Sequence, residues 1–98
     1  MTTWLITRHP GAVEWAARHG IVWDRHVPHL DPDEVAAGDT VIGSLPVHLA
    51  AAVCARGAGY FNLSLDMPAH LRGRELDADV LEACGARLEK YFVKKETP

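Results

Sequence analysis

The run Trp4-Leu5-Ile6-Thr7-Arg8-His9-Pro10-Gly11 constrains the fold more than any other part of the chain. A strand-forming stretch stops on an Arg-His pair, and a Pro-Gly break then opens a helix. Proline suits the first helical turn because the N–H it lacks would have no partner there. In an α/β fold the carboxyl end of a strand is where ligands sit, and a helix amino terminus beside it favours anions. A guanidinium and an imidazole at that turn point to phosphate.

The same alternation continues through the 98 residues. Strands are expected at residues 3–7, 21–27, 40–43 and 60–65. In the second, Ile21, Trp23, Arg25 and Val27 share one face. Helices are expected at residues 10–19, closed by Gly20, and from Leu45-Pro46 through Arg56, closed by Gly57. Asp31-Pro32-Asp33-Glu34 has the make-up of a capped helix start. Residues 66–75 read as a polar loop. Asp77 then caps a last helix whose face is Leu81, Cys84, Leu88 and Tyr91, with Tyr91-Phe92-Val93 adding a short final strand. Strands alternating with helices imply a parallel sheet with right-handed crossovers. The expected fold is a single, minimal Rossmann-like α/β domain, a mainly parallel sheet flanked by helices. So small a sheet has few helices to cover it, so a homodimer is expected.

A hydrophobic fraction of 48% supports a packed core, and a net charge of -3 argues against a coat for long DNA or RNA. A small anion needs only local positive charge. Cys54 and Cys84 lie in apolar helical contexts, so they read as core residues in a reducing compartment. With no basic leader and no long apolar run, a soluble cytoplasmic protein is expected, without a membrane partner. His26-Val27-Pro28-His29 brings two imidazoles close, but Pro28 breaks the regular geometry and no third ligand is evident. No metal and no cofactor are expected.

In such a sheet the strand-to-helix turns open on one edge. Three of them converge: Thr7-Arg8-His9-Pro10-Gly11, Gly43-Ser44-Leu45-Pro46, and Asp66-Met67-Pro68 with the loop after it. They offer Arg8, His9 and His48 for catalysis. Gly11, Ser44, Leu45, Pro46, Asp66, Arg72 and Arg74 are the expected ligand contacts. Arginine and helix N–H groups hold phosphoryl oxygens, and histidine moves protons near neutral pH.

Two families share parts of this pattern. Histidine phosphatases have an Arg-His-Gly turn after the first strand, which Arg8-His9-Pro10 resembles with proline in the glycine position. A wider resemblance rests on Thr3-Trp4 through Gly11-Ala12, Val27-Pro28-His29-Leu30-Asp31-Pro32 and Gly38-Asp39-Thr40-Val41-Ile42-Gly43-Ser44-Leu45-Pro46. It continues in Tyr60 through Pro68 and in Arg72-Gly73-Arg74-Glu75-Leu76. These segments resemble the small stand-alone CRISPR-associated proteins found with type III systems. That resemblance implies kinship with the CRISPR-associated Rossmann-fold (CARF) ring nucleases, whose ligands are cyclic oligoadenylates. It implies cleavage of cyclic tetra-adenylate. Because the sequence offers no metal cluster and each adenosine carries its own 2′-OH, metal-independent attack of that oxygen is the expected route. A non-catalytic sensor or sponge for the same ligand is the alternative, and a phosphohydrolase of the histidine-phosphatase kind is the second.

Overall fold

A computed structural model describes residues 1–97. Its five-stranded sheet runs β2-β1-β3-β4-β5, from β1 (Thr3–Ile6), β2 (Arg25–Val27), β3 (Thr40–Gly43), β4 (Gly59–Ser64) and β5 (Arg87–Tyr91). The first four strands are parallel and β5 is antiparallel to β4. Three helices flank them: α1 (Pro10–Arg18), α2 (Val47–Ala55) and α3 (Ala78–Ala83). This is the mainly parallel, helix-flanked α/β sheet expected of a minimal Rossmann-like fold.

The two central strands are apolar on both faces, as a sheet covered on both sides requires. Trp4, Ile6, Val41 and Tyr60 pack with Ala50, Val53 and Cys54 of α2 and with Leu30 and Val35. Leu5 and Ile42 pack on the opposite face with Ala12, Trp15 and Ala16 of α1 and with Ala78 and Leu81 of α3. Below β3, the buried Asp39 ties three segments together. Its carboxylate accepts from the Thr2 N–H at 2.9 Å, the Ala36 N–H at 2.9 Å and the Trp4 indole at 3.2 Å. The Ala36 and Thr2 amides, and then the indole, hold its pKa below the ordinary carboxylate value.

Two elements differ from the sequence reading. The second strand is only Arg25–Val27, because the Asp24 carboxylate takes the Thr3 N–H at 2.8 Å, just before the ladder starts at Trp4↔Arg25. Ile21 and Trp23 therefore pack on the α1 face, while Val27 packs on the other. The last helix stops at Ala83, although Asp77 caps it as expected by accepting from the Val80 N–H at 2.8 Å. Gly85, at φ 71°, turns the chain, and Leu88 pairs with Leu63 across an antiparallel ladder. The spacing of Leu81, Cys84, Leu88 and Tyr91 suits a helix, but the last two belong to β5. Cys54 and Cys84 are buried free thiols. No helix among the described residues is long and apolar enough to cross a membrane.

Candidate functional site

The chain leaves β1 through α1 on one face of the sheet and leaves β3 through α2 on the other. The neighbouring carboxyl ends of β1 and β3 therefore form a topological switch point, where doubly wound sheets bind ligands. A cleft of about 830 Å³ opens there, near the upper end of small-molecule pockets.

The β1–α1 turn brings Thr7, Arg8 and His9 to its rim. The Thr7 side chain accepts from the His9 N–H at 3.1 Å, and the Thr7 carbonyl accepts from His26 Nε2 at 2.8 Å, so this turn is braced from two sides. The β3–α2 turn supplies Ser44, Leu45 and Pro46. It is pinned to β4 twice. The Ser44 hydroxyl donates to the Leu63 carbonyl at 2.9 Å, and the Leu45 N–H donates to the Tyr60 hydroxyl at 3.0 Å. The phenol in turn donates to Asn62 Oδ1 at 2.6 Å. Burial raises the Tyr60 pKa against the opposing effect of the Leu45 amide.

The third wall is the segment between β4 and α3, which brings Met67, Gly73, Arg74, Glu75 and Leu76 over the cleft. Gly11 is what lets this wall approach. It is buried in the first turn of α1, and a Cβ there would overlap the Leu76 carbonyl. Arg18 then clasps Asp79 at 2.6 Å, and His19 Nε2 lies 2.6 Å from Glu82. The His19 hydrogen bond lowers the Glu82 pKa.

Of the expected site residues, Arg8, His9, Ser44, Leu45, Pro46 and Arg74 meet in this cleft. Gly11 lies beside it as a packing position. His48 is exposed one residue into α2, and Arg72 is exposed at the end of a 3-10 turn, both outside the lining. Asp66 also lies outside, with its carboxylate 3.5 Å from Arg87. Glu75, His29, Thr7 and Met67 also line the cleft; none is among the site residues expected from the sequence, where His29 is weighed only as a metal ligand beside His26. His29 follows the carboxyl end of β2, a fourth strand end that could have been counted with the other three.

Charge pairing separates the arginines. Among the described residues Arg18, Arg25, Arg56 and Arg87 each have a carboxylate partner, whereas Arg8, Arg72 and Arg74 have none. Two of the three unpaired arginines, Arg8 and Arg74, are among the residues that line the cleft, together with Leu30, Leu45, Leu49 and Leu63. Such a lining offers cations for an anionic group and apolar surface beside them. Among the described residues no three His, Cys, Asp or Glu side chains are grouped to hold a metal ion.

No curated protein and no solved structure matches the chain. The family described as "Putative CRISPR-associated protein (Cas_VVA1548)" matches residues 4–94, which take in every strand but for Thr3 at the start of β1, and every wall of the cleft. The chain belongs to this CRISPR-associated family.

Proposed function

We propose that the protein is a ring nuclease that opens a cyclic oligoadenylate, cyclic tetra-adenylate in the first instance, and so ends type III CRISPR signalling. The observation that carries this reading is the cleft at the β1/β3 switch point, with Arg8 and Arg74 unpaired beside His9. Membership of a CRISPR-associated family supplies the setting.

The chemistry needs little beyond alignment. Each ribose 2′-oxygen attacks the adjacent phosphorus, the bond from phosphorus to the 5′-oxygen breaks, and a 2′,3′-cyclic phosphate and a 5′-hydroxyl result. His9 takes the proton from the 2′-OH, and the departing 5′-oxygen gains one from water. Holding nucleophile and phosphorus in line can supply about 7–11 kcal/mol. The arginines offset charge that builds on the phosphoryl oxygens. Ser44 orients the ribose or phosphate, and the leucines receive adenine. A homodimer with two-fold symmetry would present two such clefts to one symmetric ring.

Incubation with cyclic tetra-adenylate in EDTA tests the proposal. Linear products ending in 2′,3′-cyclic phosphate are expected, and replacing the attacking 2′-OH by hydrogen should stop cleavage while binding persists. Tight binding without turnover would make the protein a sensor or sponge. Turnover of phosphomonoesters with the ring untouched would favour the histidine-phosphatase reading.

A further inference from the structure

We infer that Glu75 is a positioning residue that fixes the tautomer of His9 and so makes its Nε2 the proton acceptor in the cleft. The catalytic part of this inference rests on the ring-nuclease reading; the tautomer does not.

Glu75 reaches His9 across 66 residues of sequence, with Oε1 at 3.3 Å from Nδ1. An ionised carboxylate only accepts hydrogen bonds, so Nδ1 must carry the proton. In the neutral ring the lone pair is then on Nε2, the nitrogen left free to take a proton from a ligand hydroxyl. The opposite tautomer would set a lone pair against the carboxylate and leave only a donor for the ligand.

Both partners are held from behind. The His9 backbone is tied to the Thr7 hydroxyl, and Thr7 to His26. Glu75 immediately precedes Leu76, whose carbonyl lies against Gly11, and α3 is clasped to α1 by Arg18–Asp79 and His19–Glu82. The pair is solvent-accessible, with side-chain exposures of 53% for His9 and 67% for Glu75, so it contributes little to stability. A carboxylate in a cleft otherwise suited to anions weakens phosphate binding, and the contact it makes here is with His9 Nδ1.

The full chain labelled with ¹⁵N-histidine tests this without any ligand, with the His9 resonances assigned by comparison with His9→Ala. At a pH where the imidazole is neutral, His9 should show the Nδ1–H tautomer. Glu75→Ala should move it toward Nε2–H, and Glu75→Gln, whose amide oxygen still accepts, should largely keep it. With cyclic tetra-adenylate, Glu75→Ala should lower kcat about tenfold, a modest part of what a placed base contributes, with KM unchanged or lower. An Nε2–H tautomer in the unmodified protein, or an unchanged kcat in Glu75→Ala, overturns the inference. Failure of the unmodified protein to open the ring overturns the ring-nuclease reading instead, and with it the catalytic part; the spectrum alone then decides the tautomer.

Discussion

Replacing Gly11 by alanine should destabilise the protein, although alanine is the better helix former. In α1 the exchange by itself would gain at most about 0.8–1.0 kcal/mol, the figure for a helix interior, since Gly11 stands in the first turn. The new Cβ would lie 2.9 Å from Asp77 Cα and 3.0 Å from the Leu76 carbonyl carbon, with the Leu76 oxygen closer still. Carbon atoms pack best at about 3.5–4.0 Å, so the start of α3 would have to retreat by roughly 1 Å. The obstacle is backbone, which cannot swing aside as a side chain can. Overpacking costs about 1–3 kcal/mol, and a backbone clash belongs at the upper end. The clash wins, and the net loss is about 2 kcal/mol. A domain of this size loses about 4–8 °C of melting temperature per kcal/mol. Thermal unfolding followed by circular dichroism should therefore show Gly11→Ala melting on the order of 10 °C lower. A variant that melts at or above the parent temperature would refute the argument, because helix propensity would then outweigh the contact between α1 and α3.

Three further outcomes follow from the same geometry. Arg8→Ala should cut ring turnover tenfold or more while leaving the melting temperature unchanged, since Arg8 has no partner among the described residues; a matching loss of stability would make it a structural residue. Tyr60→Phe strips the half-buried Leu45 N–H of its acceptor, which should cost about 1–3 kcal/mol in chemical denaturation; an unchanged midpoint refutes that role. The folded-state pKa of Asp39 is lowered, so its stabilisation is full above the unfolded carboxylate value of about 3.9 and fades as pH falls through the folded value. Asp39→Asn should accordingly lower the melting temperature at neutral pH, and the gap from the parent should narrow in acid; a gap independent of pH contradicts this.

The strand–helix alternation was legible because Thr3–Ile6 and Thr40–Gly43 are short apolar runs that end in turn residues. Each is followed by a segment with a helical repeat. Arg87–Tyr91 was not, because Leu88 and Tyr91 also continue the helical spacing from Leu81. Only the turn at Gly85 and the pairing of Leu88 with Leu63 decide between the two periods. The same limit applies to the site. Arg8, His9 and Ser44 announce themselves by standing between a strand and a helix, so local sequence places them. Glu75 reaches His9 only because α3 docks on α1, a contact that no local pattern encodes. His48 lies close to the β3–α2 turn in sequence, but it projects from α2 outside the lining.

The two sides of the cleft are held unequally, and ligand entry should reflect this. On the α2 side, Asp39 and Tyr60 anchor buried groups. On the other, α3 is six residues long and is clasped by pairs between exposed side chains. A helix that short has no stability of its own and depends on docking. The segment carrying Met67, Arg74 and Glu75 should therefore detach in a sub-global opening, at lower cost than unfolding the sheet. Its amides would exchange with solvent while those of β1 and β3 stay protected. A ring bridging Arg8 and Arg74 would join the labile wall to the stable one, so ligand should slow exchange across residues 66–83 far more than in the central strands.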